Sequence, residues 1–260
     1  MDNLLSHKNS GDPIIVKVKD IDIGREKKVV ISGPCAVEDY DTMILLAKKL
    51  KSCGVNILRG GAFKPRTSPY DFQGLEEKGL EILKAVREEV NIPISTEIMD
   101  PRDIEKSLEY IDVIQVGSRN MYNYSLLKEI GRLKTPVILK RGISATIKEW
   151  LYAAEYILSG GNENVIFCER GIRTFEPYTR NTLDLNAVAF IKNNYRLPII
   201  VDPSHGTGVR ELVYPMSLAS IAAGADGLII ESHLNPDKSI SDAKQTISVD
   251  TLCDIINKIK

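Results

Sequence analysis

Cys35, His205, Glu231 and Asp242 together form the donor set of a transition-metal site. A thiolate, an imidazole and two carboxylates suit Mn, Fe, Co or Zn, and the soft sulfur disfavours Mg or Ca. Asp202, just upstream of His205, is placed to orient the imidazole ring. A second set is cationic: Arg59, Lys64, Arg66, Arg119, Lys140, Arg141, Arg170 and Arg173. Arg forks grip carboxylate or phosphate through paired bonds, and Lys acts as a point charge. The segment LRGGAFKPRTSPYDFQG (58–74) has no acidic residue between Arg59 and Tyr70, and Gly60 and Gly61 let its backbone approach a ligand closely. Unpaired buried cations cost several kcal/mol each. Only Glu97, Glu169 and the metal ligands are expected to offset them, so the chemistry implied is a metal-assisted reaction between strongly anionic substrates.

Linear spacing joins none of these residues; the elements around them do. Eight short apolar runs recur: VVISGPC (29–35), ILRGGA (57–62), IPISTEI (92–98), VIQVGS (113–118), PVILKRG (136–142), VIFCERG (165–171), PIIVDPS (198–204) and GLIIESH (227–233). A helix-like stretch follows each. DTMILLAKKLKSCG (41–54) ends in a Gly stop, and Asp100-Pro101 reads as an N-cap and first helical position. Eight such units predict a single closed (β/α)8 barrel of the α/β class over residues 28–260. Catalytic groups of that fold gather at the C-terminal ends of the strands. Cys35, Arg59, Lys64, Glu97, Arg119, Lys140, Arg170, His205 and Glu231 all fall there. In a closed barrel strands seven, eight and one are neighbours, which brings His205, Glu231, Asp242 and Cys35 together. Residues 1–27 read as an N-terminal extension: a polar, mobile tail, then a strand or hairpin from the period-two pattern of IIVKVKDIDIG (14–24). No GxGxxG turn follows the first strand, which argues against a doubly wound dinucleotide fold.

Length and composition set limits. At 260 residues, 43% hydrophobic and 27% charged, the chain is an ordinary globular domain. A net charge of −1 gives no electrostatic case for nucleic acid or an anionic membrane. No apolar run reaches the roughly 18 residues of a membrane span, and the N-terminus lacks a signal-peptide pattern, so the expected location is cytoplasmic. The four cysteines form no CxxC motif. Cys53, Cys168 and Cys253 are expected as free, mostly buried thiols, whereas Cys35 ends a strand after Gly-Pro. His233 is a weaker ligand candidate than His205, and His7 is expected to be inert.

With these motifs in hand, the chain resembles the 3-deoxy-D-arabino-heptulosonate-7-phosphate (DAHP) synthases, in particular their short type Iβ branch. The resemblance rests on SGPCAVE (32–38), LRGGAFKPRTSPYDFQG (58–74), IMDP (98–101), IQVGSRN (114–120), ILKRG (138–142), CERGIRTFE (168–176), VDPSHGTG (201–208), IIESH (229–233) and SDAKQ (241–245). It implies condensation of phosphoenolpyruvate with erythrose 4-phosphate, the first step of the shikimate pathway to the aromatic amino acids. It further implies that Arg59, Lys64, Arg119, Lys140 and Arg170 hold phosphoenolpyruvate, and that Lys64, Pro65, Arg66 and Thr67 hold erythrose 4-phosphate. Cys35, His205, Glu231 and Asp242 would bind a divalent ion, Mn first among Mn, Fe, Co and Zn. Lys140, Lys64, Cys35 and His205 are the expected catalytic set, with Glu97 as an assistant in proton transfer.

The resemblance also implies a homo-oligomer, a tetramer or dimer, with the N-terminal strand pairing across subunits. Relatives regulated by feedback carry an extra ferredoxin-like or chorismate mutase domain; about 27 residues precede the barrel here, so insensitivity to aromatic amino acids is expected. The sister 3-deoxy-D-manno-octulosonate-8-phosphate synthases are the nearest alternative, but they carry a KANRS-like segment where this chain has KPRTS (64–68). A zinc-dependent class II aldolase has no use for so many cations. A barrel serving only as a binding scaffold has no use for an intact ligand set.

Overall fold

Runs of Val and Ile bounded by Gly and Pro become strands in the computed structural model, which describes residues 4–65, 68 and 70–260. Arg66 and Thr67, expected at the sugar-phosphate end of the site, lie outside the described residues. Strands β1 (Val16–Val18) and β2 (Ile21–Ile23) form an antiparallel hairpin. The eight apolar runs then appear in order as β3 (Val29–Gly33), β4 (Ile57–Arg59), β5 (Ile94–Glu97), β6 (Val113–Val116), β7 (Val137–Lys140), β8 (Val165–Glu169), β9 (Ile199–Val201) and β10 (Gly227–His233). Each pairs in parallel with the next, and β10 pairs with both β9 and β3, closing the barrel. A short β11 (Ile247–Ser248) extends the sheet from the far end of β10. The helices are α1 (Tyr40–Cys53), α2 (Glu76–Val90), α3 (Ile104–Ser107), α4 (Tyr124–Gly131), α5 (Ile147–Leu158), α6 (Leu185–Asn194), α7 (Pro203–Thr207), α8 (Arg210–Ala222) and α9 (Val249–Ile259).

Strand alternation sorts the core into two layers. Val29, Ile31, Ile57, Val113, Ile138, Ile166, Ile200 and Ile229 point into the barrel. Val30, Leu58, Ile114, Val137, Leu139 and Phe167 face the helices. Val16, Val18 and Ile23 of the hairpin join the inner cluster, so the hairpin plugs the barrel floor of its own chain. The segment before it is also tied down: the amides of Leu5 and Ser6 donate to the Glu155 carboxylate, each at 2.9 Å. His7 meets the Tyr195 ring edge-on.

Helix ends follow local chemistry. Asp39 caps α1 by accepting from the Thr42 amide, and Gly54 ends it in the left-handed region at φ 98°. Thr146 and Glu149 form a reciprocal capping box on α5. Barrel closure also sets α1 beside α9, and there Cys53 and Cys253 form a disulfide with Cα atoms 5.2 Å apart. This corrects the expectation of free thiols at both positions. The two cysteines are 200 residues apart in sequence, and only closure of the ring makes them neighbours. Cys168 is free and buried, as expected, and Cys35 is likewise buried and outside any disulfide.

Candidate active site

The C-terminal rim brings the expected donors together. One ligand atom from each of Cys35, His205, Glu231 and Asp242 lies within 4.8 Å of the others. Cys35 follows β3, Glu231 lies on β10, His205 on α7 directly after β9, and Asp242 in the loop between β10 and β11.

The chemistry of this set suits a divalent ion. Asp202 caps α7 and accepts at Oδ2 from His205 Nδ1, 2.8 Å away. The other ring nitrogen, Nε2, is thereby turned toward Glu231 Oε1 at 3.4 Å. Burial favours the neutral imidazole and pushes its pKa down despite the nearby carboxylates. Cys35 Sγ lies 2.9 Å from Asp242 Oδ2 and 2.9 Å from Lys64 Nζ. Burial, reinforced by Glu231 and Asp242, pushes the thiol up to about 12. Burial alone would raise the Glu231 carboxyl, but His205, Arg59 and Lys64 outweigh it and hold the group well below its ordinary range. A divalent ion would bind the thiolate and expel its proton. Two buried polar atoms beside the rim, Arg59 Nε and Glu97 Oε1, have no hydrogen-bond partner among the described residues, as expected of groups that face a ligand. His233 stands apart from the ligand set. Its Nε2 is 3.4 Å from Glu38 and its Nδ1 2.7 Å from the Asn235 carbonyl oxygen.

A cavity of about 280 Å³ opens beside the donors, lined by Lys64, Arg119, Lys140, Arg170, Arg173 and Arg180 among others. Glu97 and Pro65 line it as well. The expectation that these cations lack internal partners holds for only some of them. Arg59 pairs with Glu231 at 2.7 Å, and Lys140 with Asp202 at 2.7 Å. For Lys140, burial opposes the charge but the Asp202 carboxylate prevails, and the ammonium is favoured. Arg141 is a correction: it bridges Glu169 at 3.0 Å and Asp184 at 2.9 Å and stacks toward Trp150. It is a buried structural cation, with Asp184, unnoticed in the sequence, as its second partner. Asp184 had a local signal, an N-cap position for α6, but that signal says nothing of Arg141. Among the described residues no carboxylate lies within ion-pair distance of Arg119, Arg170 or Arg173, and these face the cavity.

Two further residues were not anticipated. Arg180 reaches Asp242, and Gln245 reaches Glu231. The SDAKQ segment carried Gln245 in view, but an amide in a loop gives no chemical signal by itself.

Comparison with known proteins agrees with this geometry. The chain is 46% identical over 257 residues to a phospho-2-dehydro-3-deoxyheptonate aldolase of Thermotoga maritima, covering 99% of this chain and 76% of the relative. The crystal structure of that DAHP synthase superposes with a TM-score of 0.95 at 45% identity, covering 98% of this chain and 75% of that one. A truncated form of 3-deoxy-D-arabino-heptulosonate 7-phosphate synthase from the same organism gives 0.90 at 42% identity, covering 98% and 94%. A 2-dehydro-3-deoxyphosphooctonate aldolase of Francisella tularensis is 28% identical, covering 94% of this chain and 95% of the relative. The model of the DAHP synthetase I family matches residues 11–259; the chain belongs to that family.

Proposed function

We infer that this protein is a DAHP synthase: it condenses phosphoenolpyruvate with erythrose 4-phosphate and water, giving 3-deoxy-D-arabino-heptulosonate 7-phosphate and phosphate. The observation that carries the reading is the meeting of a Cys/His/Glu/Asp donor set with a cation-lined cavity at one barrel rim. In this reading Cys35, His205, Glu231 and Asp242 hold a divalent ion, Mn first among the candidates. When bound, such an ion supplies Lewis-acid polarisation of the aldehyde carbonyl.

The chain's own groups account for the rest. Arg119, Arg170, Lys140, Lys64 and Arg59 screen the phosphate and carboxylate of phosphoenolpyruvate, so that two mutually repelling anions can lie at reacting distance. Lys64 and Pro65, with Arg66 and Thr67, hold the sugar phosphate. The methylene carbon of phosphoenolpyruvate forms the new C–C bond to the aldehyde carbon. Water then adds at the former enol carbon, and the C–O bond to phosphate breaks. Lys140 keeps its proton at neutral pH because Asp202 stabilises the ammonium, which suits proton donation and electrostatic stabilisation rather than base catalysis. Glu97, which has one oxygen without a partner among the described residues, is the assisting carboxylate in this reading. A homo-oligomer is part of this reading; it is supported by half-exposed Tyr122, Tyr124 and Tyr152 on and beside α4 and α5.

The test is phosphate release from phosphoenolpyruvate with Mn2+, comparing erythrose 4-phosphate and arabinose 5-phosphate before and after chelation. Turnover confined to the four-carbon sugar, lost on chelation and restored by metal, is expected. Preference for the five-carbon sugar would move the chain to the octulosonate activity.

A further inference from the structure

Gln245 is 2% exposed and lies between a carboxylate and a guanidinium. Its Nε2 donates to Glu231 Oε2 at 2.7 Å, and its Oε1 accepts from Arg180 Nη1 at 3.2 Å. A carboxylate offers only acceptors and a guanidinium only donors. The amide orientation is therefore fixed. Neither an ionised carboxylate nor a hydrocarbon of the same length can make both bonds. The same Arg180 nitrogen also reaches Asp242 Oδ1 at 3.3 Å. Both carboxylates of the donor set are thus tied to one guanidinium, Asp242 directly and Glu231 through the amide.

The backbone shows why such bracing is needed. Asp242 sits at φ 53°, in the left-handed region that a non-glycine residue enters at a cost. Its carbonyl oxygen accepts from the Gln245 amide at 3.2 Å and from Thr246 Oγ1 at 3.0 Å. Arg180 is itself seated against α7. Its amide donates to the Thr207 carbonyl oxygen at 2.8 Å. Gly208, at φ 67°, presents no Cβ where one would run into the Arg180 side chain. Loops after β8, β9 and β10 therefore interlock at the Arg180 side chain.

We propose that Gln245 and Arg180 are positioning residues that hold Glu231 and Asp242 in ligand geometry; the inference rests on the metal-site reading above. Glu231 Oε1 is already anchored by Arg59, so losing Gln245 frees Oε2 without removing the ligand. Such supporting contacts typically contribute 10–100-fold in metal affinity.

The test is Mn2+ binding to the chelator-stripped full chain, read as free Mn2+ by electron paramagnetic resonance, for wild type, Gln245→Met, Arg180→Met and Cys35→Ala. Thermal unfolding of each metal-free form reports folding. Gln245→Met is expected to weaken Mn2+ binding by about 10–100-fold, with the metal-free form still unfolding cooperatively at a somewhat lower midpoint, because the buried Glu231 carboxylate loses one hydrogen bond. The Mn2+ concentration for half-activation rises correspondingly, while the KM for phosphoenolpyruvate at saturating Mn2+ stays unchanged. Binding within threefold of wild type overturns the inference. If Gln245→Met fails to fold, Arg180→Met, at a half-exposed position, carries the same expected loss of Mn2+ binding and the same refutation; because Arg180 also lines the cavity, only metal binding is read for it. Cys35→Ala separates the two readings: weakened binding there with none in Gln245→Met sinks only this inference. A wild-type chain that binds no Mn2+ sinks both.

Discussion

Asp202→Asn tests the electrostatics of the rim at one atom pair. Asp202 is 1% exposed, and its Oδ2 receives both Lys140 Nζ at 2.7 Å and His205 Nδ1 at 2.8 Å. Asn keeps the shape but removes the charge; if its oxygen keeps both donors, its NH2 faces the His205 amide N–H, which now donates to Asp202 Oδ1 at 2.9 Å. Lys140, itself buried, is left without a counter-charge. Removing one member of a buried pair costs about 3–5 kcal/mol. At about 2–4 °C per kcal/mol for a chain near this size, the midpoint of the metal-free protein should fall by roughly 6–20 °C. The pair also fixes the sign of the pH dependence. Asp202 raises the Lys140 pKa above its unfolded value, so that contribution is present below about pH 10 and is lost as pH rises through the folded value. The assay is thermal unfolding of chelator-stripped wild type, Asp202→Asn, Lys140→Met and the double variant. The double variant should recover most of the loss, because no bare ammonium remains. Melting of Asp202→Asn within 2 °C of wild type, on the order expected for a surface substitution, would refute the buried-pair reasoning.

Other consequences follow from the same contacts. The Cys53–Cys253 bond closes a 200-residue loop, for which the chain-entropy model allows up to about 5 kcal/mol. Complete reduction should therefore lower the unfolding midpoint, and an unchanged midpoint would count against a stabilising cross-link. In the metal-free chain burial keeps the His205 pKa down. The unfolded chain takes up that proton below about pH 6.5, so urea midpoints should decline as pH falls from there. Asp202, held well below its ordinary range by His205 and Lys140 in spite of burial, adds a second loss below about pH 4. His205→Gln should remove the first decline and leave an acid-side loss; a flat wild-type profile from pH 7 to 5 would contradict a buried neutral imidazole. Cys35→Ala removes the sulfur donor and should abolish Mn2+-dependent turnover, measured as phosphate release; full activity in chelated buffer would exclude Cys35 as a ligand.

The strands were legible because parallel strands covered on both faces read as unbroken apolar runs. All eight runs named from the sequence contain the observed barrel strands, from Val29–Gly33 to Gly227–His233. The donor set was legible for a topological reason. A closed barrel converts sequence order into angular order, so the last strand must sit between the one before it and the first, and Cys35, His205, Glu231 and Asp242 meet. Strand order tells which ends are adjacent but not what each side chain touches. Gln245, an unremarkable amide, and the Cys53–Cys253 pair acquire meaning only from contacts that closure creates.

Lys140 and Arg141 show where that limit falls. Both are cations at the end of β7, and by residue type alone both belong to the substrate. Successive side chains of a strand point to opposite faces. Lys140 therefore turns inward to Asp202 beside the donor set, while Arg141 turns out of the barrel to Glu169 and Asp184. Charge and position along the strand were identical to within one residue, and one step of the pleat separates a group that lines the cavity from one that bridges Glu169 and Asp184. The period-two alternation inherent in any strand thus already held the distinction. Counting cations at the rim without applying that alternation is what placed Arg141 in the wrong set.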